Sequence, residues 1–167
     1  MKFDILIVDL ALVAAVFVPY ILFILIGRKE IQKLKNKFLE EAKKHELRLD
    51  EKENWNNNII GLDKGKAKIL LVQKRRTGFA SDLVDLKDLR SCEIHKEVLS
   101  VKIGNRNEEI LQRLDLHLKL YNGTVRSLNL FNCEETYIQD YEVQHAERWQ
   151  NIISSQIAFR PTINSAA

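Results

Sequence analysis

The chain has few cysteines and lacks the familiar motifs of catalytic and nucleotide-binding sites. Its two cysteines, Cys92 and Cys133, are far apart and form no C-x-x-C pair, so neither a disulfide framework nor a zinc ribbon is predicted. A P-loop, a dinucleotide glycine fingerprint, an H-E-x-x-H sequence and a nucleophile elbow are all missing. These absences argue against enzymes that depend on such sites.

A concentration of charge of one sign is also lacking. The formal net charge is +3, and Lys and Arg are mixed with Asp and Glu along the chain. A dedicated nucleic-acid-binding protein usually gathers its cations on one surface without acidic neighbours. We therefore expect no nucleic-acid partner.

What the sequence does contain is a long apolar run over residues 5–26. As a helix it would extend about 33 Å, which matches a bilayer hydrocarbon core of about 30 Å. A cleaved signal peptide is the alternative, but its apolar part is roughly 7 to 15 residues long. We therefore predict an uncleaved transmembrane anchor over residues 1–27, in contact with the lipid bilayer.

The flanks of this run predict its orientation, because Lys and Arg tend to stay on the cytoplasmic side. The N-terminal flank has only Lys2, whereas the other flank has Arg28, Lys29, Lys33, Lys35 and Lys37. The prediction is a single-pass protein of the inner (plasma) membrane with its N-terminus outside and its soluble domain in the cytoplasm. Inside the run, Asp9 is expected to reach the headgroups and Pro19 to be tolerated, although contact with another membrane helix stays open.

Residues 28–54 are interpreted as a basic amphipathic juxtamembrane segment, helical to about Asp50. Ile31, Leu34, Phe38, Ala42 and Leu49 recur at helical spacing on one side. This apolar stripe can pack on the following domain or pair with another copy. The nearby cations can attract anionic lipid headgroups, or they can act only as a solvated determinant of topology.

Residues 55–158 are interpreted as a small β domain with a C-terminal helix. Predicted strands cover residues 58–62, 67–72, 83–86, 92–98, 101–103, 113–121 and 124–131, with turns at Gly65, Gly104-Asn105 and Asn122-Gly123. In the 113–121 strand, leucines alternate with polar residues, so one face is expected to be buried and the other wet. A bulged loop at Gly123 is predicted to set Leu116 opposite Leu128 and Leu114 opposite Leu130.

After Asp140, apolar residues return to helical spacing and predict a C-terminal helix that covers the sheet and ends before Pro161. Residues 159–167 are expected to form a polar tail. The order of elements, the stretch 83–89 leading into a strand, and the closing helix around Trp149 resemble bacterial membrane-anchored pleckstrin-homology-like (PH-like) domains. The resemblance implies an α+β fold, with a small antiparallel β-barrel or sandwich capped by the helix. It also implies a binding or scaffolding role.

No catalytic, cofactor-binding or metal-binding residue is assigned. Cys92, Glu93 and His95 are neighbours, but Cys92 and His95 would point to opposite faces of a strand. Contact with lipid or with a partner is instead predicted for a set of cations. The set comprises Arg28, Lys29, Lys33, Lys64, Lys66, Lys74, Arg75 and Arg76. In phosphoinositide-binding relatives of the resembled fold the first hairpin loop is basic, and Lys64 and Lys66 are placed in the matching loop.

Together these features predict a non-enzymatic, membrane-tethered interaction or scaffold module at the cytoplasmic face of a bacterial inner membrane. Its expected partners are the bilayer, a protein or membrane complex, and anionic lipid headgroups, with no cofactor. The alternative is a structural accessory subunit of a larger membrane protein complex, in which Asp9 and Pro19 pack against other spans.

Overall fold

The computed structural model describes residues 2–103, 106–136 and 141–158, and of residues 2–11, 103 and 106 it describes the backbone only. The described helices and strands are α1 (Lys2–Lys44), β1 (Glu51–Trp55), β2 (Asn58–Asp63), β3 (Lys68–Arg75), β4 (Gly78–Asp85), a 3-10 turn (Leu86–Asp88), β5 (Leu89–Ile103), β6 (Arg106–Leu120), β7 (Val125–Asn132) and α2 (Glu142–Ala158). The fold is α+β, as predicted.

The strands form two antiparallel sheets that are not closed into a barrel. Sheet A has the order β1-β2-β3-β4, and sheet B has the order β5-β6-β7. The main core lies between the sheets and includes Leu71 of β3, Leu116 of β6 and Leu128 of β7, all fully buried. Helix α2 adds Ala146, Trp149 and Ile153 to this core and so covers it as the sequence predicted.

The first half of α1 is apolar and projects from the domain. Among its described side chains, those from Leu12 to Ile26 are exposed. By length and composition α1 is the one described helix that could cross a membrane. A signal sequence near an N-terminus has the same properties.

The second half of α1 packs against sheet A. Leu34, Phe38 and Ala42 are buried and contact a cluster that includes Leu70 and Val72 of β3. Of the two arrangements left open by the sequence, packing on the domain is therefore the one found. Strands β2 and β3 of sheet A are consequently covered on both faces, by α1 on one side and by the main core on the other.

Helix α1 ends at Lys44, earlier than the predicted end near Asp50. Glu46 adopts a left-handed φ of 50°, and the Leu47 N–H donates to the Ala42 carbonyl at 2.8 Å. This arrangement is a helix-terminating Schellman-type turn. Leu47 and Leu49 then pack on the α1 face of sheet A instead of extending the helix, and Ile31 is exposed.

The strand predictions were largely right in position but wrong in extent. Strand β1 was missed because Glu51–Trp55 is a polar segment in which alternate residues are exposed. The predicted strands at 92–98 and 101–103 are one continuous strand, β5, with a register irregularity between Glu97 and Val98. The predicted Gly104-Asn105 turn lies outside the described residues.

The predicted β6–β7 register was right for one residue pair and wrong for the other. Leu116 faces Leu128 as predicted, and Gly123 has a φ of 85°, but Leu114 faces Phe131 instead of Leu130. A second irregularity, between Leu114 and Asp115, shifts the pairing by one residue. Asp115 was expected on the wet face but is 2% exposed. Its buried carboxylate is compensated by Asn129, which donates to it, and by Arg113, which pairs with it at 2.7 Å.

Candidate functional site

The cations singled out in the sequence fall into two groups at opposite ends of the domain. The first group lies near the end of the apolar run, where Glu30 of α1 pairs with Lys33 at 2.7 Å and with Lys74 at 2.8 Å. The pair with Lys74 holds the β3–β4 hairpin beside the helix, four residues beyond Ile26. We call Arg28, Lys29, Lys33, Lys74, Arg75 and Arg76 the juxtamembrane cluster.

The tip of the β3–β4 hairpin is exposed. Arg76 lies in its turn, and Gly78, the first residue of β4, has a φ of 133°, a conformation that favours glycine. Phe79, paired with Lys74 across the hairpin, is 40% exposed. Arg75 lies on the other face of the strand, where its guanidinium donates to Gln73 Oε1 at 3.0 Å. A hairpin tip that carries several cations and an exposed aromatic ring suits contact with an interface that is anionic outside and apolar beneath.

The second group, Lys64 and Lys66, lies at the other end of α1. Lys64 pairs with Glu51 at 2.7 Å, and Lys66 pairs with Glu46 at 3.6 Å. Glu46 lies sixteen residues beyond Glu30, which along a helix corresponds to about 24 Å. These two lysines therefore do not join the juxtamembrane cluster.

The loop that carries Lys64 and Lys66 is also not the first hairpin of the sheet. It joins β2 to β3, whereas the first hairpin turn, between β1 and β2, consists of Asn56 and Asn57. The sequence comparison with the basic first loop of phosphoinositide-binding domains therefore used the wrong loop. The error follows from the missed strand β1.

A buried polar cluster joins β1 to α2, and no pattern in the sequence predicted it. The Glu53 carboxylate accepts hydrogen bonds from Trp149 Nε1 at 2.6 Å and lies 3.1 Å from His145 Nδ1. Glu142, 3% exposed, accepts a hydrogen bond from Trp55 Nε1 at 2.6 Å. These bonds satisfy two buried indole N–H groups across about ninety residues of chain, so the cluster fixes α2 against the edge of sheet A.

A groove lies between α1 and β1 on the outer face of sheet A. Its volume is about 960 Å³. Its apolar lining consists of Phe38, Leu39, Ala42, Leu47, Leu49 and Ile59. The sequence could not locate it, because the groove depends on β1 and on the early end of α1.

The neighbours Cys92, Glu93 and His95 are not brought together. Cys92 is buried in the main core, and burial raises the pKa of its thiol to about 12. His95 lies on the opposite, exposed face and stacks on His117, with ring centroids 4.6 Å apart. Within the described ranges no group of three or more His, Cys, Asp or Glu residues is arranged to hold a metal ion.

Comparison with protein-family models, with curated proteins and with solved structures finds no match to this chain.

Proposed function

We propose that the chain is a membrane-tethered interaction or scaffold module of PH-like architecture, at the cytoplasmic face of a bacterial inner membrane. The observation that carries the proposal is the continuity of α1. One helix includes an exposed apolar half and a half packed on sheet A, with the juxtamembrane cluster where the two halves meet.

Retention of the anchor is supported by the same continuity. Helix α1 has no break between Ile26 and Leu34, and a signal sequence would instead be followed by an accessible cleavage site. The cytoplasmic orientation is supported by Arg28 and Lys29 directly after the apolar run and by Lys74, Arg75 and Arg76 at the same end of the domain.

The PH-like assignment is supported by the order of elements. Four antiparallel strands, then three, are followed by a helix with the buried Trp149 near its middle. A binding role follows from the resemblance and from the exposed cations, because fold alone does not determine function.

Membrane fractionation with a topology assay tests the tether. We expect the full chain to stay in membranes through an alkaline wash and a chain lacking residues 1–27 to be released. Added protease should digest the domain in inside-out vesicles but not in intact spheroplasts. Recovery of the mature chain without its first residues, or digestion in intact spheroplasts, would contradict the proposal.

A charge comparison tests the lipid contact. A fluorophore is attached to the full chain at Thr77→Cys, in a Cys133→Ser background. The labelled protein is placed in nanodiscs with or without phosphatidylglycerol. Spin-labelled lipid should quench the fluorophore more strongly in the anionic nanodiscs. Arg75→Gln with Arg76→Gln should reduce this difference without abolishing it, since each charge contributes about 1 kcal/mol near such a surface and four cations of the cluster remain.

The matched control is Lys64→Gln with Lys66→Gln, which removes the same charge at the far end and should preserve the quenching. Equal quenching in anionic and neutral nanodiscs would refute the contact with anionic lipid. It would not refute the tether, which the membrane fractionation tests separately.

A further inference from the structure

The groove beside α1 has the width to seat a second helix. Helix α1 packs mainly against β3 and touches β2 and β4 less, and Lys52 and Asn54 of β1 remain exposed. Neighbouring strands are about 4.8 Å apart, so β1 lies about 9.6 Å from β3. Packed helices have axes about 8–10 Å apart, so a helix centred over β1 would be at packing distance from α1.

The apolar strip of the groove has an unpartnered side chain on its helix wall. Leu39 of α1 lines the groove and is 60% exposed, although its neighbour Phe38 is 3% exposed. Lys35, Leu39 and Lys43 are spaced four residues apart and so follow one row of α1. An apolar residue of a partner could cover Leu39 only if the partner also accommodated the two flanking ammonium groups.

Charge on the rim defines the partner further. Four exposed cations line the groove, Lys35 and Lys43 on α1, Arg48 in the segment that follows α1, and Lys52 on β1. None of the four side chains forms an ion pair with an acidic residue of the described chain. The two acidic groups of the lining are already engaged, Glu46 with Lys66 and Glu53 with Arg148 at 2.9 Å. The rim is therefore positive on both sides of an apolar strip.

We propose that this groove binds an amphipathic helix of another protein whose apolar stripe is flanked on both sides by Asp or Glu. A second copy of this chain fits poorly, because its own α1 carries Lys35 and Lys43 on the available row and has its main apolar stripe against its own sheet A. The inference rests on the proposed interaction function and identifies the surface that performs it.

The test uses the full chain in phosphatidylcholine nanodiscs and a labelled synthetic helix of about 18 residues, or five turns, with a leucine stripe flanked by glutamates. One control peptide has the same composition in scrambled order. A second control peptide has lysine in place of every glutamate. We expect saturable binding of the acidic helix alone, measured by fluorescence anisotropy. Lys35→Glu with Lys43→Glu should weaken it at least about tenfold, as for loss of close complementary charge pairs.

Lys87→Glu, an exposed cation in the 3-10 turn, is the control variant and should leave the affinity unchanged. Circular dichroism should show all three proteins folded, with a melting temperature only slightly lower for the double variant, because Lys43→Glu places an anion in the last turn of α1 at a cost of about 0.3–1 kcal/mol. Failure of the acidic helix to bind, equal binding of the scrambled peptide, or an unchanged affinity in the double variant would overturn the proposal.

Photocrosslinking identifies the occupant in native membranes. A photoreactive residue replacing Asn54, which lines the groove, leaves Leu39 and the four cations intact. An adduct with a different polypeptide, lost in the double charge-reversal variant, supports the proposal. An adduct only with lipid or with a second copy overturns it. Membrane fractionation distinguishes failure of the groove proposal from failure of the tether. If the chain is released from membranes but still binds the acidic helix, the tether is refuted and the groove proposal is not.

Discussion

Sheets A and B differ in how many of their faces are covered. In sheet A, β2 is buried at every position and β3 at five consecutive positions. In β6 of sheet B, buried Leu114, Leu116 and Leu118 are interleaved with residues of the outer face, where His117 stacks on His95. A continuous apolar strand indicates two covered faces and an alternating one indicates a single covered face. The second cover of sheet A is α1, which is therefore part of the fold as well as its proposed tether.

The largest expected effect comes from removing that cover. A chain lacking residues 1–27 should be soluble and monomeric, whereas a chain lacking residues 1–44 should aggregate, because Ile59, Leu70 and Val72 become an exposed apolar sheet face. Size-exclusion chromatography of the two proteins measures the difference. A soluble, monomeric product from the longer deletion would mean that α1 is dispensable for the fold.

Single truncations on the two faces compare the strength of the two cores. In the chain lacking residues 1–27, Leu116→Ala between the sheets should lower the free energy of unfolding by about 2–5 kcal/mol, and Phe38→Ala under α1 by about 3–5 kcal/mol. Leu39→Ala, on the exposed row of α1, should change it by less than about 0.5 kcal/mol. Urea titrations followed by tryptophan fluorescence give the values. If Phe38→Ala were as mild as Leu39→Ala, the α1 contact would contribute little to stability.

Gly61 permits the close approach of α1 to sheet A. A Cβ at this position would lie 2.9 Å from Phe38 Cζ and 3.0 Å from a Leu49 methyl carbon. Gly61→Val should therefore cost about 1–3 kcal/mol through overpacking. Gly65→Ala is the control, since its added Cβ meets only Asp63 Oδ1 at 3.4 Å and should be nearly neutral. Equal unfolding midpoints in urea for the two variants would show that Phe38 and Leu49 can move aside for a larger residue at little cost.

Asp63 fixes the segment that leads from α1 into sheet A. Burial disfavours its charge, but backbone N–H groups of Lys66 and Arg48 donate to the carboxylate, and its pKa is lowered from the ordinary value of 3.8. The stabilisation is therefore present above pH 3.8 and is lost as the pH falls through the lower, folded-state pKa. Asp63→Asn should cost about 1 kcal/mol at neutral pH, because one amide oxygen cannot replace two carboxylate oxygens.

The measurement for Asp63→Asn is acid unfolding by circular dichroism. As the pH falls below the ordinary aspartate pKa of 3.8, the variant should lose less stability than the parent. Parallel acid transitions in the two proteins would count against the role of the carboxylate.

The smallest effect is expected on the exposed face of sheet B. Lys119 and Glu93 pair at 2.6 Å across β5 and β6, but both side chains are about half exposed. Lys119→Ala should therefore lower stability by no more than about 1 kcal/mol, less so in high salt. A cost comparable to that of Leu116→Ala would mean that this face is covered in solution, contrary to the comparison of the sheets.

The parts of the fold that depend on local periodicity could be predicted from the sequence. The leucine alternation of β6, the Gly123 turn and the helix around Trp149 follow from neighbouring residues alone. Strand β1 could not be predicted, because Lys52 and Asn54 face outward and Glu53 is stabilised by Trp149, ninety-six positions away. The end of α1 was missed because Glu46 adopts a left-handed conformation that its side chain does not favour.

The candidate site was predictable as a set of residues but not as a surface. Its cations are visible in the sequence, yet the proximity of Lys74 to Glu30 depends on how α1 lies across sheet A. The same packing separates Lys64 and Lys66 from the cluster. The groove was unpredictable for a further reason, since it is formed by what α1 leaves uncovered.

The unbroken course of α1 has a mechanical consequence. A disordered linker would let the domain sample many orientations above a bilayer, but α1 is helical from Lys2 to Lys44, and from Pro19 to Lys44 it contains no further proline. About 27 Å of it extends beyond Ile26, so a tilt of about 10° in the lipid would swing the attached sandwich sideways by about 5 Å. Helices adjust their tilt to bilayer thickness. Such a rod would convert a change in the thickness of the surrounding lipid into a change in the direction the sandwich faces.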